Sequence, residues 1–205
     1  MTKKKGLSRP AKVFWGLLAV VLVVITGIWG YNRYMEKKKV DQLYQHGFRL
    51  LEEQIATYIK ENYSGVSKIE FSPIYIDGDG KFTMRTAYVI PIIYDNYGNK
   101  AKLGGRVEGT NKVYAKHGLL NGISSLDFDI NGNWIIYLDN SANGNQIDVS
   151  KYDHLPAKAK LSTNDFIDDN ITSLVQANHL KGVFASKDGS SSTLIRYNTE
   201  IRWGK

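Results

Sequence analysis

The sequence predicts an α+β protein in which an N-terminal transmembrane helix is followed by helices packed on one face of a curved antiparallel sheet. Three observations lead to this prediction: an uncharged apolar run at residues 13–31, an apolar stripe at helical spacing directly after it, and alternating apolar stretches separated by Gly and Asn turns.

The apolar run at 13–31 carries no charged side chain across nineteen positions. As a helix it would be roughly 28 Å long, close to the thickness of a bilayer's hydrocarbon core. Trp15 lies near one end and Trp29 near the other, as is typical of membrane interfaces. We therefore expect a transmembrane segment here, with residues 1–12 as a cytoplasmic tail.

The basic charge of the chain is concentrated beside this run. The formal net charge is +7, yet residues 40–205 hold eighteen Lys/Arg against nineteen Asp/Glu. The flanks are thus suited to the lipid bilayer as a partner, and the remainder has no basic excess with which to bind nucleic acid. We expect no nucleic-acid partner.

Cysteine is absent, which excludes disulfides, thiolate metal sites and a lipidated cysteine. No small-x-small cleavage pattern follows the apolar run, so the sequence predicts an uncleaved signal anchor. The predicted localisation is a single-pass protein of the cell membrane, with its N-terminus in the cytoplasm and its C-terminal domain extracytoplasmic.

A juxtamembrane and first domain helix is predicted over 32–65, with Gly65 as its stop. One apolar stripe at helical spacing runs along this helix. Such a stripe favours packing of the helix on a sheet. Its members are Val40, Tyr44, Phe48, Leu51, Ile55, Tyr58 and Ile59.

The antiparallel sheet domain is predicted over 66–205. Strands at 67–76 and 81–95 flank a Gly-Asp turn, and strands at 123–130 and 134–139 flank Asn131-Gly132, a favoured hairpin dipeptide. Pro73 and Pro91 cannot donate to a strand ladder, so each indicates an edge or a bulge.

The last part of the chain contributes a long loop at 140–162, a second helix at 164–181 and strands at 183–186 and 192–203. Thr163 or Asn164 is the expected N-cap of the second helix, and Gly182 ends it. Cystatin-like and nuclear-transport-factor-like folds share this general plan of helices on a curved sheet, a likeness that implies no function.

Tyrosine is the residue type in excess, with thirteen in the chain. Tyrosine gives large, rigid contact area at low entropic cost, and alternating strand positions would bring several of them to one sheet face. The sequence therefore predicts a partner-binding surface that comprises Tyr75, Tyr88, Tyr94, Tyr114 and Tyr137.

No pattern predicts a catalytic, metal or cofactor site. The four histidines have no metal-ligand spacing, and no nucleophile motif or phosphate-binding loop is present. The alternative of a surface hydrolase would use His117 or His154, which lie in irregular stretches. Asp153 is the local carboxylate that could orient an imidazole, and Asp127 or Asp129 could do so if the fold brings them near.

The helix-to-strand stretch 55–63 (IATYIKENY), followed by Val66, Ile69, Glu70 and Phe71, resembles the opening of small membrane-anchored surface proteins of Gram-positive bacteria, including the staphylococcal tandem-lipoprotein type. The chain departs from that type by its length and by the missing lipidated cysteine. The predicted architecture is also similar to surface immunity proteins that neutralise secreted toxins.

Together these features predict a non-enzymatic binding protein that recognises a protein partner or toxin at the cell surface. The alternative is a structural component of an envelope complex for secretion, conjugation or division, with the helix at 37–63 as its contact.

Overall fold

A computed structural model describes residues 9–78, 83, 85–115, 122–139 and 145–204. The chain divides into two compact units, Met1–Gln42 and Leu43–Lys205. The hydrolase candidate His117 lies outside the described residues.

The apolar run 13–31 is not a separate element but part of helix α1, Arg9–Asn62, which continues through the charged residues 33–39. Side chains such as Val23 and Trp29 are exposed on it. Nowhere in the described residues does a helix have a stretch both long and apolar enough to cross a bilayer.

This finding contradicts the predicted transmembrane segment, and with it the signal anchor, the single-pass topology and the cell-membrane localisation. The cytoplasmic tail at 1–12 and the extracytoplasmic placement of the C-terminal domain lose their basis for the same reason. Charged turns on both sides limit the apolar part of helix α1, which runs on to Asn62.

In the second unit, helix α1 is buried on nearly all sides. No residue from His46 to Lys60 is exposed, and Leu50, Ile55 and Ile59 are completely or almost completely buried. A helix resting on a single sheet would expose one side in every turn. The predicted packing of helices on one sheet face is therefore wrong.

The strands are short. In the described residues they are β1 Tyr63–Ser64, β2 Val66–Phe71, β3 Ile74–Asp77, β4 Thr86–Tyr88, β5 Pro91–Asp95, β6 Lys100–Lys102, β7 Gly105–Arg106, β8 Val113–Tyr114, β9 Ile123–Phe128, β10 Trp134–Leu138, β11 Gln146–Asp148, β12 Phe184–Ala185, β13 Leu194–Arg196 and β14 Ile201–Trp203.

These strands form five small sheets and not one curved sheet. Their orders are β1-β12, β11-β10-β9, β13-β2-β5-β6, β14-β3-β4 and β7-β8. Strand β13 runs parallel to β2, and β14 runs parallel to β3. The cystatin-like or nuclear-transport-factor-like plan of one antiparallel sheet is thus contradicted, although the hairpin at Asn131-Gly132 is confirmed.

Two of the sheets share three chain segments, and β6 is the additional strand of the larger one. Each segment gives one strand to the four-stranded sheet and one to the three-stranded sheet: β2 and β3, β5 and β4, and β13 and β14. The first segment changes sheet at Ser72-Pro73, where proline has no N–H to donate. The Ser72 N–H instead donates to Ile90 O at 3.0 Å, and Ile74 N–H donates to Glu200 O at 2.8 Å. We call these two sheets the linked sheets.

The second helix, α2, spans Asp165–Gln176. Asn164 is its N-cap as predicted, and its side chain accepts the N–H of Ile167 at 2.9 Å. The helix ends five residues before the predicted end at 181. Asn178 adopts the left-handed conformation with φ of 59°, which stops the helix before Gly182.

Candidate functional site

Three of the five predicted tyrosines lie on the outer faces of the linked sheets. From Tyr88 to Asp95 burial alternates at every residue, so that the odd-numbered positions are buried and the even-numbered ones point outward. This places Tyr88 and Tyr94 on the solvent side. Tyr75 is also outward, between the buried Ile74 and Ile76.

Tyr75 and Tyr88 are directly opposite each other on β3 and β4. Their rings stack, with centroids 5.3 Å apart and an interplanar angle of 28°. Both side chains are half-buried, and cross-strand aromatic pairs of this kind stabilise a sheet while restricting each other's rotamers. The stacked pair therefore holds both tyrosine side chains in place.

Arg202 extends this pair across the third strand, because it is opposite Tyr75 on β14. Its Nε donates to Glu200 Oε1 at 2.9 Å and its Nη2 to Glu200 Oε2 at 3.4 Å. This hydrogen-bonded ion pair raises the pKa of Arg202. The three side chains Arg202, Tyr75 and Tyr88 form a line over three strands, which we call the Tyr-Arg row.

Tyr94 lies on the four-stranded sheet and belongs to a charged network around Glu70. Its hydroxyl donates to Glu70 Oε2 at 2.6 Å, while Lys68 Nζ and Arg196 Nη1 are 3.0 and 3.4 Å from Glu70 Oε1. The bonds from Tyr94 and Lys68 hold the pKa of Glu70 below its ordinary value, and the bond to Glu70 raises the pKa of Tyr94. Lys68 also lies 3.8 Å from the centroid of the Tyr94 ring.

The other two predicted tyrosines lie elsewhere. Tyr114 is on β8 and buried; its hydroxyl lies 2.7 Å from Asp169 Oδ2 and 2.6 Å from Ser173 Oγ, both on α2. Tyr137 is on β10, where it pairs with Ser125 of β9 in the sheet β11-β10-β9. The five tyrosines thus occupy four sheets, and a binding role for any of them remains a prediction.

The histidine candidates do not form a catalytic arrangement in the described residues. His154 Nδ1 is 3.4 Å from Glu53 Oε1, but its side chain is 77% exposed. His46 and His179 are hydrogen-bonded to the main-chain carbonyls of Val149 and Glu108. Across the part of the chain that the structure describes, no group of three His, Cys, Asp or Glu residues is placed to hold a metal ion.

Two buried polar residues were not predicted from the sequence. Glu52 on α1 is completely buried; its Oε2 accepts the N–H of Asn198 at 2.9 Å, while its Oε1 has no partner among the described residues. Burial raises the pKa of Glu52 to about 8. Asn170 on α2 is also completely buried, and neither of its side-chain polar atoms has a partner in the described structure.

Nothing in the spacing of the sequence distinguishes Glu52 from its neighbour Glu53, which forms an ion pair with Arg49. The hydrogen-bond partner of Glu52, Asn198, is 146 residues away along the chain, so no local pattern points to this contact.

Comparison with known protein families, with curated proteins and with solved structures finds no match to this chain.

Proposed function

We propose that this chain is a non-enzymatic module that binds a protein partner through the outer faces of the linked sheets. The observation that carries the proposal is the stacked Tyr75–Tyr88 pair beside Arg202. Tyrosine and arginine are the residue types, with tryptophan, that contribute most to protein–protein binding.

The geometry favours a binding role because the Tyr-Arg row is already ordered. Tyr75 and Tyr88 restrict each other by stacking, and Glu200 holds the Arg202 guanidinium through two hydrogen bonds. Binding therefore orders few additional rotamers at these positions, and each one left free would cost about 0.5–1.5 kcal/mol. A third tyrosine, Tyr94, points outward on the other linked sheet.

The test uses the full chain, immobilised, to recover partners from an extract of cells that express it. The variant Tyr75→Ala/Tyr88→Ala removes both tyrosines of the row, and Tyr137→Ala is the matched control because Tyr137 lies on a separate sheet. Circular dichroism and thermal unfolding establish that each variant is folded.

We expect a partner that the wild type and the Tyr137→Ala control both retain and the double variant loses. Equal recovery by all three proteins would contradict the proposal, as would the absence of any partner reproducibly enriched over an unrelated bait.

A further inference from the structure

The outer face of the four-stranded sheet β13-β2-β5-β6 is a regular array of eight side chains. The strand register places them in two rows that each cross all four strands. One row is Leu194, Lys68, Tyr94 and Lys100, and the other is Arg196, Glu70, Ile92 and Lys102. We call this array the basic face.

The basic face concentrates positive charge in a region without a general basic excess. It carries four cationic side chains against the single carboxylate of Glu70, whereas residues 40–205 as a whole hold eighteen Lys/Arg and nineteen Asp/Glu. Neighbouring strands are about 4.8 Å apart, so each row spans roughly 14 Å. The charge is therefore local to this face.

The cations differ in their surroundings. Lys68 and Arg196 share Glu70 and are partly neutralised by it. Lys100 and Lys102 are exposed, and no acidic side chain of the described residues is within ion-pair distance of either. These two lysines are two residues apart on the edge strand β6, so they point the same way about 7 Å apart.

Apolar contact area lies between the charges. Leu194 is 52% exposed at the opposite edge, and Ile92 and Tyr94 are half-exposed in the centre. An extended acidic protein segment offers both carboxylates and aliphatic side chains at strand spacing. A phosphate backbone fits less well, because the centre of the face presents a carboxylate and apolar groups where phosphates would lie.

We propose that the basic face binds an acidic, extended segment of the partner protein, with carboxylates paired to Lys100 and Lys102 and apolar side chains over Ile92 and Tyr94. This inference rests on the proposed protein-binding function and identifies the chemistry of its partner. Charge complementarity of this kind raises the association rate and selects among partners.

The test measures binding of fluorescein-labelled peptides to the full-length protein by fluorescence anisotropy at low salt. The probes are a peptide of alternating glutamate and valine, the same peptide with glutamine in place of glutamate, and single-stranded oligothymidylate. The variant Lys100→Gln/Lys102→Gln is compared with Lys181→Gln/Lys187→Gln, which removes two exposed lysines outside the basic face.

We expect the glutamate peptide to bind more tightly than the glutamine peptide, and the Lys100→Gln/Lys102→Gln variant to weaken it about three- to tenfold with no change in the control. Equal affinity for the two peptides, equal loss in both lysine variants, or preference for oligothymidylate would overturn the inference.

Failure here is distinguishable from failure of the proposed function. One outcome is that Lys100→Gln/Lys102→Gln retains a partner that Tyr75→Ala/Tyr88→Ala loses. The chain is then a binding module, but it does not recognise the partner through acidic side chains of that partner. If no variant and no wild-type protein retains a partner, the proposed function itself fails.

Discussion

The buried carboxyl group of Glu52 on α1 accepts the backbone N–H of Asn198 at 2.9 Å, across a separation of 146 residues in the sequence. Asn198 belongs to the segment 197–200, where the chain passes from β13 to β14. Arg49 lies over the Tyr197 ring at 3.4 Å from its centroid, and Gln45 Nε2 donates to Thr199 O at 3.3 Å. The helix thus holds the bend that precedes Arg202.

The state of Glu52 makes stability depend on pH. Burial raises the folded pKa to about 8, above the ordinary 4.5, so the folded protein keeps a proton that the unfolded chain releases. The contribution of Glu52 to the free energy of unfolding is therefore fully present below about pH 4.5. It decreases as the pH rises towards 8, by at most about 5 kcal/mol. The free energy of unfolding, from urea titrations at several pH values, measures this decline.

Replacing Glu52 with glutamine should flatten the decline, because an uncharged amide of the same shape keeps the acceptor for Asn198 and has no proton to lose. We expect Glu52→Gln to be more stable than the wild type at pH 8.5 by about 1–2 kcal/mol. Glu53→Gln is the matched control, because it removes a carboxylate of the same helix that is only partly buried and ion-paired with Arg49. An identical slope in the wild type and Glu52→Gln would contradict the assignment.

Asp168 on α2 is hydrogen-bonded to two tyrosines, Tyr58 on α1 and Tyr63 on β1. Tyr63 Oη donates to Asp168 Oδ1 at 2.6 Å, and Tyr58 Oη lies 2.9 Å from Oδ2 while also accepting the N–H of Asn164. Burial together with the Asp168 carboxylate raises the pKa of Tyr58 to about 12 and raises that of Tyr63 further.

Removing either hydroxyl should destabilise the fold, because a partly buried carboxylate would lose a donor. We expect Tyr63→Phe and Tyr58→Phe each to lower the free energy of unfolding by about 1–3 kcal/mol, and the double variant to show coupling. Tyr97→Phe, at an exposed hairpin turn, is the control and should be neutral. Additive losses in the double variant would show that the two tyrosines act independently.

Gly65 is required by both its backbone conformation and its surroundings. Its φ is 86°, and a Cβ added there would collide with the main-chain oxygen of Gly182. Gly98 has a similar φ of 83° but open space around it. We expect Gly98→Ala to cost about 1–2 kcal/mol from conformation alone and Gly65→Ala to cost considerably more, as measured by thermal unfolding. Equal losses would mean that Gly182 can move aside.

Asp95 and Asp129 occupy equivalent positions in two separate hairpin turns that have the same hydrogen-bond pattern. Of the two, Asp95 also makes a tertiary contact. Each accepts two main-chain N–H groups and an Asn side chain within its own turn, and Asp95 Oδ2 additionally accepts the N–H of Lys181 at 2.7 Å. Burial alone would raise the pKa of Asp95, but these bonds together hold it below its ordinary 3.8.

Stability from Asp95 is therefore present above about pH 4 and is lost as pH falls. We expect Asp95→Asn to cost about 1–3 kcal/mol at pH 7, more than Asp129→Asn, and the cost to shrink below pH 4. Hydrogen exchange at the Lys181 amide should rise in Asp95→Asn alone. A larger loss in Asp129→Asn would place the stabilisation in the turn and not in the bond to Lys181.

Local chemistry that acts within a few residues could be read from the sequence. The Asn131-Gly132 hairpin and the Asn164 N-cap depend on neighbouring backbone geometry, and the structure contains both. The first helix ends at Asn62, and strand β1 separates it from Gly65, the predicted stop. The outward alternation at Tyr88 and Tyr94 follows from the two-residue period of a strand. The membrane span predicted at 13–31 is contradicted, because no helix of the described residues is both long and apolar enough to cross a bilayer.

Contacts between distant segments could not be read in this way. The parallel pairing of β13 with β2, the hydrogen bond between Glu52 and Asn198 and the alignment of Arg202 with Tyr75 all join parts of the chain more than a hundred residues apart. The residue types determine which local backbone conformations have low free energy. The choice of strand neighbours depends on how side chains from the whole chain pack in the core. The sequence thus determined the turns, the caps and the tyrosine content, and the tertiary structure alone decided which tyrosines share a surface.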